Sequence, residues 1–468
     1  MTKVAAPLAV ARACHEVVDL LDLHAYCPER YPHLLESAAF GTAQGRYDIL
    51  FAFPGETLEL GASGQLSGSV NASAGGFLTN LDAWWAQSTR SLGSPEACPL
   101  PFTGGWFLFL GYELAAEIEP VLRLPKDSAL PIAVATRIPA AVIRDHEQNR
   151  TWLVAESEYI DRLERIEADI RALAARRPPP RYSSVLAGAL AEEPGSRYLD
   201  AVHRIERYIR DGDVFQVNLS RRWSGRLQPN TTSSELYRRL RRANPGPFSG
   251  LATWGDRAVI SSSPERLVRV RDQTVETRPI AGTRPRHSDP NRDQDSRRVL
   301  LAHPKERAEH IMLIDLERND LGRICEPGSI VVDELMSLES YAHVHHIVSN
   351  VRGRLVETVS PGEVIRAVFP GGTITGCPKV RCMEILAELE QAARGAYTGS
   401  MGYLNRDGSM DLNILIRTMQ RCGETLSFRA GGGIVVDSVP HRELAETRAK
   451  ARGLILALEP AADLGSDE

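Results

Sequence analysis

Arg278-Pro279-Ile280-Ala281-Gly282-Thr283-Arg284-Pro285-Arg286 is the stretch around which this chain is organised. Two prolines restrict the backbone on either side. Gly282 offers a backbone freedom that no other residue has, and Thr283 sets a hydroxyl and an N–H beside an arginine. By composition the stretch reads as a turn between a strand and a polar loop, because Pro, Gly and Thr are ordinary turn residues. By chemistry it is a stiff, cationic, donor-rich corner suited to a small carboxylated ligand. The rest of the chain decides between the two.

The 468 residues are enough for two or three domains, and 43% hydrophobic with 25% charged residues is the composition of a soluble globular protein. A formal net charge of −5 provides no basic field for nucleic acid. No apolar run approaches a membrane span, and the first twenty residues lack a secretory h-region. Seven scattered cysteines without a CxxC argue against a disulfide framework or a zinc site. The compartment expected from these features is the cytoplasm, with no nucleic-acid and no membrane partner.

In residues 1–175, Tyr47 to Pro54 and Gly104 to Tyr112 read as buried strands, Ala135 to Ile143 and Thr151 to Ala155 as a strand pair, and Tyr159 to Ala175 as an amphipathic helix. Leu34-Leu35-Glu36-Ser37 reads as a small pocket or a structural corner. Prolines 178 to 180 stop the helix, and 176–195 reads as a linker to a second region, 196–460, with a tail at 461–468.

In that second region Ser196 reads as the N-cap of a helix to Asp211. Val214 to Ser220 alternates as a strand with Gln216, Asn218 and Ser220 on one face. Arg238, Arg239, Arg241 and Arg242 read as a solvated helix face, and Glu265 follows a strand where it could meet a ligand. A helix beginning at His303-Pro304 places Glu306 and Glu309 on one face, and Pro440 to Glu459 repeats the spacing with Glu443 and Glu446, Lys450 one turn beyond. Two helices each offering a carboxylate pair could cage magnesium, with water and substrate oxygens completing the shell; singly, each pair reads as solvated. His343 and His345 fall on one face of a strand and His346 on the other, where a single acid–base histidine is a better reading than zinc. Gly371 to Lys379 is a glycine-rich loop that is not a Walker loop. Arg417 is placed in a strand from Leu412 to Met419, and Gly431, Gly432 and Gly433 follow a second strand.

RPIAGTRPR, KERAEHIMLIDLERNDLGR, GGTITGCPKVRCMEIL, RGAYTGSMGYL and RAGGGIVVDSVPHRELAETRAK occur in this order. Together they resemble the chorismate-utilising enzymes: component I of anthranilate synthase and of aminodeoxychorismate synthase, isochorismate synthase and salicylate synthase. The resemblance is strong over about residues 195 to 458. It implies an α+β fold, two mostly antiparallel sheets packed as a sandwich with helices outside and the site in a cleft of the C-terminal half. It implies chorismate as substrate and Mg2+ as cofactor, held by Glu309 and Glu446 with Glu306 and Glu443 in support. Gly282, Thr283, Thr373, Tyr397, Arg417 and the amides of Gly431, Gly432 and Gly433 match substrate-binding positions, His346 a candidate general acid, and Lys450 a lysine by the second carboxylate pair. Gln216 stands where water-using members carry a lysine base, which favours ammonia supplied by a separate glutamine amidotransferase subunit. GRYDILFAFP, QVNLSRRW, ESYAHVHHIVSNVRG and GGTITGCPK resemble the aminodeoxychorismate branch (4-aminobenzoate and folate synthesis), the branch chosen here. Ala281, where that branch usually has a lysine nucleophile, resembles component I of anthranilate synthase, the alternative. The Leu34–Ser37 segment resembles a tryptophan-pocket motif found in both branches.

Overall fold

The computed structural model describes residues 9–38, 45–70, 74–89, 99–174, 184–287, 289–340 and 344–459. The expected tail 461–468, residues 176–183 of the linker and His343 lie outside these. The fold is α+β, built on two large sheets in which every described ladder is antiparallel. One sheet runs from Ala9–Cys14 at one edge, through Tyr47–Ala52, His33–Glu36, Phe248–Trp254 and Arg257–Ser263, to Thr425–Ile434 and Gln216–Arg226. The other runs from Ile280–Pro285 and Val344–Arg354 through Arg266–Arg271 and Ser400–Asn405 to Gly105–Leu110 and Thr57–Leu60.

Side-chain alternation assigns the layers, since successive residues of a strand face opposite ways. Ile49, Phe51, Phe107, Phe109, Ala252 and Val259 interleave in one buried cluster between the sheets. Their neighbours Leu50, Ala52 and Leu251 pack outward beneath helices Leu20–Tyr26, Asp161–Ala174, Ser233–Ala243 and Pro440–Leu458. Leu108 and Leu110 pack outward beneath Phe77–Thr89, Pro304–Leu321 and Pro361–Val368. Each sheet therefore buries both faces, which is why these strands read as continuous apolar runs. His33–Glu36 pairs with Phe248–Trp254, and Gly105–Leu110 with Ser400–Asn405. The division at 176–195 is one of sequence; both sheets run across it.

Several local expectations change. The stretch 278–286 is mostly a strand, Ile280–Pro285, at a sheet edge where proline is tolerated. Its ladder with Val344–Arg354 slips between Ala281 and Thr283, so Gly282, at φ +68°, is a bulge. The helix expected from Ser196 begins at Gly195 after Pro194, with no side-chain cap. The arginine cluster on Ser233–Ala243 is not merely solvated: Arg241 pairs with Asp19 and with Glu36 (2.8 Å), and Arg238 with Asp22 (2.6 Å). Glu36 also accepts from the Tyr237 hydroxyl at 2.8 Å, so Leu34–Ser37 is anchored in an ionic corner.

Candidate active site

Three segments bring the candidate residues into one region. The first is the floor made by Gln216–Arg226 and Thr425–Ile434, which pair with Asn218 opposite Gly433, Leu219 opposite Gly432 and Ser220 opposite Gly431. The three glycines lie within the strand rather than after it. A Cβ on Gly433 would come within 2.4 Å of Gln216 Nε2. One on Gly432 would lie 3.4 Å from both Glu446 Oε1 and Lys450 Nζ and 3.9 Å from Glu443 Oε2. The missing side chains leave the room those groups occupy. Lys450 Nζ is 2.8 Å from Glu446 Oε1 and donates to the Gly431 carbonyl at 3.0 Å.

The second segment is the bulge at Gly282. A Cβ there would stand 2.9 Å from Glu306 Oε2, and Glu306 pairs with Arg284 at 3.4 Å. Thr283 pairs through its main chain with His346; its side chain lies outside the described residues. The His346 ring is buried and hydrogen-bonds to the main chain of Gly282. Burial, then the charge of Arg417 and, more weakly, that of Lys450 hold its pKa down at about 3, so the imidazole is neutral near pH 7. His345, on the other face, is taken up by Asp293 (3.0 Å) and Ser340 (2.7 Å).

The third segment is a pair of turns carrying opposite charges. Glu265 sits between Arg257–Ser263 and Arg266–Arg271, 4% exposed. It accepts from the Ile280 N–H; the Thr373 hydroxyl faces it without closing a well-formed hydrogen bond, and Oε1 has no partner. Burial pushes its pKa up to about 7 against the pull of Lys450 and Arg417. Arg417 is not in a strand. It occupies the left-handed region at φ +51°, between Met410–Asn413 and Thr418–Cys422, and its carbonyl accepts from the Ser262 N–H at 3.2 Å. Its guanidinium makes no ion pair or hydrogen bond with any described residue, and burial lowers its pKa. A buried cation held out of the strand ladder and left without a partner is an anion receptor in waiting.

Gln216, Asn218 and Ser220 share a face, as their spacing predicts, and all are buried. Asn218 Nδ2 donates to the Thr373 carbonyl at 3.1 Å, which fixes the glycine-rich loop to this strand; Gln216 Oε1 has no partner. Ser220 continues into a closed ionic network. Glu390 accepts from Ser220 N (2.9 Å) and Oγ (2.8 Å), and pairs with Arg394 (2.7 Å) and Arg429 (3.1 Å). Arg394 lies over the rings of Tyr112 (4.9 Å) and Tyr397 (5.4 Å). Tyr397 is thus locked against this network, its hydroxyl pushed up to about 12 by burial.

The magnesium expectation meets a partial fit. Glu443 and Glu446 face Gly432 and Glu306 faces Gly282, hard oxygen donors on the two walls of one region. Among the described residues no three such side chains converge as a cage, so each pair suits half of a site completed by water and ligand oxygens. Ala281, 9% exposed, brings only a methyl. The sequence places Glu265 where it could meet a ligand but assigns it no role, and it does not reveal the Glu390 network. The signal for Glu265 is a lone acid after Ser-Ser-Ser-Pro in an apolar run; the i,i+4 spacing marks Arg394 as a partner of Glu390, but nothing local brings in Arg429 or Ser220.

Residues 48–456 match the family model described as chorismate binding enzyme. The chain is 42% identical over 368 residues to the anthranilate synthase component I-like protein of Synechocystis, covering 77% of this chain and 74% of that one. It is 38% identical over 433 residues to aminodeoxychorismate synthase component 1 of Klebsiella aerogenes, covering 91% and 93%. The crystal structure of anthranilate synthase component I from Streptococcus pneumoniae superposes with a TM-score of 0.76 at 31% identity, over 89% of this chain and 93% of that one. No helix among the described residues is long and apolar enough to cross a membrane.

Proposed function

The chain belongs to the chorismate binding enzyme family, and within it we propose that it is component I of an aminodeoxychorismate synthase, aminating chorismate with ammonia from a separate glutamine amidotransferase subunit. The observation that carries the ammonia half of this reading is Gln216. Its amide occupies the floor beside Gly433, 8% exposed, and an amide cannot take a proton from water. Ammonia needs no such activation.

The substrate's carboxylates are assigned to the Arg417 guanidinium, which suits a bidentate contact, and to the main-chain donors of Gly431 and Gly433; the Gly432 N–H is turned to the paired strand, where Leu219 lies opposite it. Lys450, beside Gly431 and Glu446, adds positive charge at that end. Glu265 is assigned the proton delivered to the C4 hydroxyl as it leaves as water. A carboxyl raised to about 7 is still substantially protonated at neutral pH, and its Oε1 is uncommitted. His346, the acid suggested by resemblance, is neutral in the free chain and is better suited to hold the leaving hydroxyl by a hydrogen bond. An anion beside Arg417 would weaken the field that depresses it. The incoming ammonia returns a proton to the Glu265 carboxylate, so the step balances. Glu309 and Glu446, supported by Glu306 and Glu443, are the residues to hold magnesium, which when bound would neutralise the ring carboxylate.

A second reading, component I of an anthranilate synthase, is favoured by Ala281. With no amine at that position, the first addition at C2 falls to ammonia or water, and ammonia placed there leads towards anthranilate. The test is the purified chain with chorismate, magnesium and ammonium salt. A product converted to 4-aminobenzoate only after a lyase is added supports the first reading. Fluorescent anthranilate formed directly replaces it with the second, and a folded chain that consumes no chorismate sinks both.

A further inference from the structure

The helix Pro304–Leu321 turns two carboxyls inward near its C-terminal end. Glu317 and Asp320 are three residues apart, so they share a face, and they are 6% and 1% exposed. Ile314, Leu321, Phe369 and Ile374 belong to the apolar cluster there. One ammonium answers them: Lys379 Nζ, 2.5 Å from Asp320 Oδ2 and 3.5 Å from the Val368 carbonyl. Arg323 acts on Asp320 from beyond the helix end. Lys379 is therefore committed to Asp320, and it reaches Glu317 only at longer range.

Glu317 has other neighbours. The Thr277 hydroxyl lies beside it, and its Oε1 rests so near Gly372 that a Cβ on that glycine would stand 3.5 Å away. Thr277 leads into Ile280, whose N–H serves Glu265, and Gly372 precedes Thr373, whose hydroxyl faces Glu265. The two glutamates thus stand on opposite sides of the same strand entry and the same loop. Glu265 acts electrostatically on Glu317, and Asp320 lies farther along the helix, tied to Lys379.

Two buried carboxyls beside one ammonium carry one negative charge too many for an apolar core. We infer that Glu317 is held protonated behind Glu265, a positioning residue that keeps the anion of this cluster on Asp320 and away from the reacting acid. Burial first, and then Asp320, push Glu317 far above the usual carboxylate range, against Lys379 and Thr277. When Glu265 has given up its proton, the new carboxylate stands near a neutral acid rather than a second anion. The inference rests on Glu265 as the proton donor.

Two measurements test it. The infrared carboxyl-stretch spectrum of the free chain at neutral pH reads Glu317 without turnover. The wild type is expected to show a protonated-carboxyl band that loses intensity in E317Q; E265Q identifies the share of Glu265, and the shares of Glu36 and Glu113, also raised to about 7 by burial, are common to all the variants. A folded E317Q with an unchanged band overturns the inference. The second measurement is the pH profile of kcat at fixed free ammonia. In D320N, Lys379 is released to Glu317, which ionises and brings an anion up behind Glu265. The alkaline limb then moves up by about one pH unit, and the E317Q/D320N double variant brings it back. A limb unmoved in D320N, or still displaced in the double variant, is the contrary result, because loss of packing alone would not be reversed by the second substitution. If the band behaves as expected but no variant consumes chorismate, the protonation of Glu317 stands and the reading of Glu265 falls.

Discussion

Glu390 and Glu265 are the same residue type at nearly the same burial, and their pKa values move in opposite directions. Glu390 is held at about 2, burial being outweighed by Arg394, Arg429 and the Ser220 hydroxyl; Glu265 is pushed up to about 7. The difference lies in the partners. Glu390 has two guanidiniums and two donors within 3.1 Å. Glu265 has one main-chain N–H, a hydroxyl that does not close, and two cations acting from farther off. The first cluster is complete and serves as scaffold, locking Tyr397 and the Gln216 strand. The second is left incomplete on both sides, with an acid that keeps its proton and an arginine that lacks an anion, as a site needs before its ligand arrives.

Breaking the complete cluster carries the largest cost. Glu390→Gln leaves Arg394 and Arg429 without their carboxylate, and about 3–5 kcal/mol of stability is expected to be lost in denaturant titration. The pH dependence follows from the depressed folded-state value. The stabilisation is fully present above the unfolded value of 4.5 and disappears as pH falls through about 2, roughly 3 kcal/mol over that window. Glu265 has the opposite sign. Its folded-state value is raised, so it erodes stability as pH climbs from 4.5 to about 7. Glu265→Gln should therefore gain stability relative to wild type between pH 5 and pH 8, while Glu390→Gln should be worse throughout. If the two variants share one pH dependence, the distinction between them is lost.

Arg417 sharpens the comparison on the cation side. Arg417→Met removes a buried charge that has no ion-pair or hydrogen-bond partner among the described residues, so the thermal midpoint should hold or rise. If the guanidinium receives a substrate carboxylate, kcat/KM for chorismate falls by about a hundredfold or more, roughly 3 kcal/mol or above. A variant that loses stability and keeps its activity would place Arg417 with the scaffold.

Much of this was legible before any coordinates. Buried strands such as Tyr47–Ala52 and Gly105–Leu110 announce themselves as apolar runs, and the alternation at Gln216, Asn218 and Ser220 gives the polar face correctly. Glu306 and Glu309, like Glu443 and Glu446, share a face by helical spacing alone. What stayed hidden depends on tertiary placement. Arg417 sits where a strand was expected, because its left-handed φ is imposed by contacts such as Ser262 and leaves no mark in the surrounding apolar residues. Of the partners of Glu390, only Arg394 stands at i,i+4 spacing; Ser220 and Arg429 are far away in sequence, and no local pattern links them to it. A magnesium cage could be proposed from spacing but not assembled, because the carboxylates proposed for it sit on two helices whose approach is not encoded in either one. The strand 280–285 was masked by its own prolines, which argue for a turn until the edge of a sheet makes room for them.

The smallest effect expected concerns that strand. Gly282 holds φ +68°, where a side chain adds about 1 kcal/mol of backbone strain. A Cβ there would also meet Glu306 Oε2 and Leu300 Cδ1, each at 2.9 Å. Gly282→Ala should therefore lower stability by about 1–2 kcal/mol, less than the loss in Glu390→Gln because no charge is stranded. Its more telling effect is local. Glu306 can retreat from the new methyl only by leaving the wall it shares with the bulge, where it pairs with Arg284. The magnesium concentration for half-maximal activity should then rise severalfold while kcat at saturating metal changes little. Arg284→Gln, which releases Glu306 without adding a Cβ, separates the causes: if it leaves the metal requirement unmoved while Gly282→Ala raises it, the bulge acts by its own shape and not through the carboxylate.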